Sequence, residues 1–180
     1  MDHKVSAWKA NINAGVILGL LGIIWTLMLW FFDQTTNQTL SMVFYVVIIA
    51  GLFLGIRSYR DKYLNGFITY GQSLGAGVII MLYYSVIMAV FTFLLYKFID
   101  PNLLDKTLAL AEEQLADRGM SEGMIEQSMQ IQKKIMTPVV MSVSFIFGGV
   151  FVGTILSLII SLFTKREGNP LIESIEEEEE

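Results

Sequence analysis

Side chains able to do acid–base, nucleophilic or metal chemistry are scarce in this 180-residue chain, which has a single histidine, His3, and no cysteine. A zinc site needs several Cys, His or carboxylate ligands converging, and one histidine does not supply them, so no metal or cofactor is expected. Ser85, Ser142, Ser144, Ser157 and Ser161 have no His or Lys within their own apolar runs to act as an activating base. Such serines bond to backbone carbonyls or across helices. Gly71-Gln72-Ser73-Leu74-Gly75-Ala76-Gly77 is glycine-rich but lacks the lysine and the strand context of a phosphate loop. The expectation is a protein that is not an enzyme. What remains is a basic cluster, Arg57, Arg60 and Lys62, followed by Gly66 and Gln72. Three cations at headgroup level attract an anionic lipid or a lipid-linked phosphate at about 1 kcal/mol each, and Gln72 adds an amide. The plainer role of the same cations is to set membrane topology.

The elements that must position these residues are helices long enough to cross a bilayer. Four stretches of about 20 to 30 residues carry no charge, and about 20 apolar residues suffice to span a hydrocarbon core. Spans are expected at about 14–32, 40–56, 73–96 and 138–163. Pro138 fits the first turn of the fourth, or a kink if the preceding helix runs straight in, giving one long helix from Ser121 to Phe163. Hydrophobic residues make up 54% of the chain and charged ones 16%, well below the roughly one quarter of a soluble domain. Residues 1–168 therefore form a four-helix transmembrane domain, and 169–180 an acidic tail. Glu173 and Glu176 to Glu180 account for six of the seventeen acids, so removing them from the formal charge of -5 leaves +1.

Lys4, Lys9, Arg57, Arg60, Lys62, Lys165 and Arg166 all fall on one side of a four-span layout. By the positive-inside rule both termini are expected in the cytoplasm. The connection between the third and fourth spans, about 102–136, is predicted to be an extracytoplasmic helical hairpin. Leu104, Leu108, Ala111 and Leu115 recur at helical spacing in its first half, and Met124, Ser128, Ile131 and Ile135 in its second, with Gly119 breaking the pattern between them. The stripes would pack on each other or on the rim of the bundle. Met120, Met124, Met129 and Met136 would alternatively give an adaptable docking surface.

Glycines four apart occur in each span region, as Gly15 and Gly19, Gly51 and Gly55, Gly71 and Gly75, and Gly149 and Gly153. Small residues on one face let helix backbones approach closely in lipid, and these four pairs are expected to pack the bundle. The stretch RSYRDKYLNGFITYGQSLGAG, Arg57 to Gly77, together with the span layout and the helical insertion before the fourth span, resembles the DUF4199 family of small integral membrane proteins, found mainly in Bacteroidota. The resemblance rests on Arg60, Gly66, Gly71, Gln72 and Gly77. It implies an inner-membrane location and the company of a polyprenyl-phosphate glycosyltransferase. The function expected is that of a non-enzymatic accessory subunit or partner of another membrane protein, acting among membrane lipids and without nucleic acid. The alternative is a small carrier or channel for a lipid or neutral solute.

Overall fold

A computed structural model describes residues 5–167; His3 and the acidic tail at 169–180 lie outside the described residues. The chain folds into α1 (Ala7–Phe31), α2 (Gln38–Tyr63), α3 (Tyr70–Leu94), α4 (Leu103–Asp117), α5 (Glu122–Ile135) and α6 (Pro138–Thr164). A π-helical turn, Leu95–Ile99, lengthens α3. The described residues contain no strand, only one isolated antiparallel bridge between Ile68 and Arg166. Helices α1, α2, α3 with its extension, and α6 are each 25 to 30 residues long and strongly apolar. At about 1.5 Å per residue each exceeds a hydrocarbon core of about 30 Å.

Local chemistry sets where these helices start. Asn37 caps α2, its side chain accepting from the amides of Thr39 and Leu40, while Thr69 and Gln72 form a reciprocal capping box on α3. Thr137 caps α6 by accepting from the Val140 amide, with Pro138 in the first turn. Proline excludes the residue before it from helical geometry, and Met136 and Thr137 accordingly separate α5 from α6. The single helix from Ser121 to Phe163 does not form.

Helix α3 is the hub, packed against α1, α2 and α6. Gly15 lies against Tyr83 and Gly19 against Ile87, so α1 and α3 run parallel, whereas Gly77 meets Ser157, Met81 meets Gly153 and Ser85 meets Gly149, so α6 runs antiparallel to α3. The start of α1 and the end of α6 therefore share the end of the bundle that holds the α2–α3 turn. Leu18, Leu52, Ile56, Ile80 and Met81 fill the core. Large apolar side chains such as Ile24, Val46, Leu54, Phe147 and Phe163 point outward, an arrangement that lipid satisfies and water does not.

At the opposite end α4 and α5 lie against each other, with Leu108 and Met129 buried. Asp33, before α2, pairs with Lys106 at 2.8 Å, and Trp30 donates to Asp100 at 3.2 Å, which ties the start of α4 to the end of α1. On α5 the inward side chain is Met129, while Met124, Ile131 and Ile135 of the expected stripe point outward, each more than half exposed. Period alone identified an apolar stripe there without saying which way it faces.

Candidate functional site

Two regions hold the residues of interest, the α2–α3 turn and a cleft at the other end of the bundle. In the turn, the sequence Leu64-Asn65-Gly66 reverses the chain through two consecutive left-handed residues, Asn65 at φ 51 and Gly66 at φ 84. That conformation is easy for glycine and tolerated by asparagine. The chain then runs alongside the end of α6, where Ile68 donates to the Arg166 carbonyl at 2.8 Å and accepts from its amide at 2.9 Å. The Arg166 guanidinium lies over the Phe67 ring at 5.7 Å. Below this bridge the Ser73 and Thr164 hydroxyls share a buried 2.7 Å hydrogen bond.

The basic cluster takes part in this fastening. Arg60 is largely buried, contacts Asp61 at 2.7 Å, and donates to the Thr164 carbonyl at 3.3 Å. Arg57 also pairs with Asp61, at 3.5 Å, from a more exposed position. The Arg60 hydrogen bond holds the Asp61 carboxyl, beyond the apolar run that ends at Ile56, below its ordinary pKa. Lys62 is exposed. Gln72 uses its side-chain oxygen to accept from the Thr69 amide at 3.0 Å, so that oxygen is already engaged. Arg57 and Arg60 share Asp61, and the Arg60 carbonyl accepts from the Gly66 amide at 3.0 Å, but Lys62 lies about 160° round α2 from Arg60, Gln72 faces its own helix start and Arg60 faces α6.

Of the four glycine pairs, Gly15 and Gly19 meet α3, Gly51 and Gly55 meet α1 and α3, and Gly149 and Gly153 meet α3. A Cβ at Gly71 or Gly75 would meet nothing within 4 Å. The face of α3 that packs against α6 is Ser73, Gly77, Met81 and Ser85, two positions along, which turns it about 200° from the expected pair at 100° per residue. Ser157 and Ser161 are fully buried in this interface, and neither hydroxyl has a hydrogen-bond partner among the described residues.

The second region is a cleft of about 650 Å³ in the half of the bundle nearer α4 and α5. Its walls are the first halves of α2 (Ser41, Phe44, Tyr45, Ile48) and α6 (Val140, Ser144, Phe145, Gly148), and its floor is Met81, Tyr84 and Met88 of α3. The floor is buried. The rim residues Tyr45, Val140, Ser144 and Gly148 are exposed, so the cleft opens sideways, between α2 and α6. No residue lining it carries a charge. Gly148 adds nothing to the packing, since a Cβ there would meet no atom within 4 Å, and its missing side chain leaves space in the cleft. The sequence offered no sign of this region beyond the adjacent pair Gly148-Gly149. Among the described residues no three His, Asp or Glu side chains converge on a point.

Comparison of the chain with curated proteins and with solved structures gives no match. The family model described as "Protein of unknown function (DUF4199)" matches residues 13–166, from the first turns of α1 to the Ile68–Arg166 bridge, and the chain belongs to that family.

Proposed function

We propose that this protein is a non-enzymatic integral membrane protein that holds a lipid-like molecule in the cleft between α2 and α6. The observation that carries this reading is the cleft itself, which is apolar, uncharged, open toward the surroundings of the bundle and of about 650 Å³. That volume falls within the range of about 300–1,000 Å³ typical of small-molecule sites. A transmembrane helix, about 10 Å across with its side chains, is a poorer fit. The absence of an activating base beside any buried serine supports binding over catalysis.

A second reading, that of an accessory subunit of another membrane protein, is favoured by the outward stripe of Met124, Ile131 and Ile135 on α5. In both readings the protein sits in a bacterial inner membrane with its termini in the cytoplasm and α4 and α5 as an extracytoplasmic hairpin. The support is the seven basic residues that flank the turn end and the termini. Reporter fusions at Asp2 and Glu180 are expected to read as cytoplasmic, and an external signal from either would reverse the orientation.

The cleft is tested by native mass spectrometry of protein taken from its own membrane in mild detergent. The parent should retain a lipid-sized adduct, and Gly148→Phe, which fills the cleft from a position free of packing contacts, should lose it at unchanged thermal stability. Equal retention by both proteins would contradict the reading.

A further inference from the structure

We infer that the cleft takes a neutral prenylated carbonyl compound of the quinone class, with the Tyr84 hydroxyl donating a hydrogen bond to a ligand carbonyl. This rests on the cleft reading above and adds the chemistry of the occupant. Tyr84 is only 4% exposed yet lines the cleft, and no described residue accepts or donates a hydrogen bond at its hydroxyl. The oxygen is not sealed from solvent-sized space, and the cleft is the space that Tyr84 lines. A phenol at such a place asks for an acceptor, because a buried hydroxyl left unpaired costs free energy.

Depth narrows the choice of acceptor. Ser85, next to Tyr84, is level with Gly149, eleven residues into α6 from Pro138, which places it about 16 Å below the helix end at about 1.5 Å per residue. The ring edge of Tyr84 lies against Gly22 of α1, where a Cβ would approach it to 3.1 Å, and Gly22 stands nine residues before the end of α1, about 14 Å deep by the same rise. Because these helices overhang a core of about 30 Å by about 5 Å at each end, the Tyr84 ring lies about 10 Å inside the core boundary. A phospholipid keeps its ester carbonyls and charged headgroup at the boundary, whereas a prenylated quinone carries its carbonyls among apolar carbons and can enter to this level.

The walls suit a flat ring. Trp25 and Phe44 are stacked, with ring centroids 5.8 Å apart and planes at 28°, and Phe145 lies 6.1 Å from the Tyr84 ring. Aromatic faces and edges of this kind favour a planar partner, and Met81, Met88, Met136 and Met141 can adapt to an isoprenoid chain. With no charge in the lining, an anionic headgroup would go unpaired there.

The test uses the full chain in neutral detergent, a naphthoquinone with a short prenyl chain, and quenching of tryptophan emission as the readout. A prenylbenzene of equal chain length serves as competitor. The parent should bind the quinone roughly five- to tenfold more tightly than the prenylbenzene, the worth of one buried hydrogen bond. Tyr84→Phe, which keeps the ring, should melt like the parent and bind both compounds equally; Gly148→Phe should bind neither. If the parent binds both equally and Gly148→Phe neither, the quinone inference falls and the cleft reading stands. If Tyr84→Phe keeps the full preference, the hydroxyl is not the donor and the inference falls. If the parent binds neither compound, or Gly148→Phe binds as the parent does, the cleft reading falls with it.

Discussion

Helix α6 is held very differently at its two ends. Where it meets the α2–α3 turn, a backbone bridge, a buried hydroxyl pair and the Arg60 guanidinium all reach it within the stretch from Thr164 to Arg166. At its other end it packs on α3 through Gly149, and Ser144, Phe145 and Gly148 line the cleft together with Phe44 and Tyr45 of α2. Directional polar links are concentrated at one end, and apolar side chains facing a gap at the other. In lipid, where apolar burial between helices brings little net gain, small residues and hydrogen bonds decide where helices touch. The end that lacks hydrogen bonds to the α2–α3 turn is the one that borders the cleft.

The comparison breaks first if the small-residue seam is filled. Gly153→Leu places a bulky side chain against Met81, and overpacking of this kind should lower stability by about 3 kcal/mol. Gly75→Leu, on the open face of the same helix α3, should change it by less than about 0.5 kcal/mol. Detergent melting of both variants checks the pair, and equal losses would mean that the Gly71 and Gly75 face of α3 is packed as well. A smaller effect is expected from Ser73→Ala, which removes the bond to Thr164 while Thr164 keeps its donation to the Ile160 carbonyl at 3.1 Å. About 1 kcal/mol is expected, read in the same melting experiment.

The smallest effect belongs to the α4 end. The Asp33 carboxylate raises the Lys106 pKa above its ordinary 10.5, chiefly through their hydrogen bond. A raised lysine contributes its stabilisation below the unfolded value and loses it as the pH climbs through the folded one. Between pH 6 and pH 9 the pair therefore adds no pH dependence, and Lys106→Met should leave the slope of melting temperature against pH unchanged across that window. A slope that appears only in the variant would show that the pair does more than an exposed ion pair does.

The four spans were legible because uncharged runs of that length have few other uses. Their limits were not, since hydropathy ends the second run at Ile56 while helix α2 continues through charged residues to Tyr63. The break before α6 was readable from Pro138, though one long helix remained open until the structure showed Thr137 as the cap. Gly149 and Gly153 were visible as a pair, but their partners on α3, Ser85 and Met81, were not, because which face of an all-apolar helix turns inward leaves little mark on composition. Gln72 stood out as an amide near a membrane boundary and proved to be half of a capping box. The cleft depends on how far α2 and α6 separate, a tertiary property that no local spacing encodes.

The central claim, one fastened end and one open end, is tested most directly by crosslinking, for which the chain has no native cysteine to interfere. Cysteines replacing Ile68 and Arg166 should form a disulfide rapidly in the membrane, since bridge partners bring Cα atoms to about 5.5 Å. Cysteines replacing Tyr45 and Ser144, on opposite walls of the cleft, should join only through a longer bifunctional reagent, and less once a ligand is bound. Rapid direct disulfide formation by both pairs would contradict the account, because α2 and α6 would then be closed along their whole length.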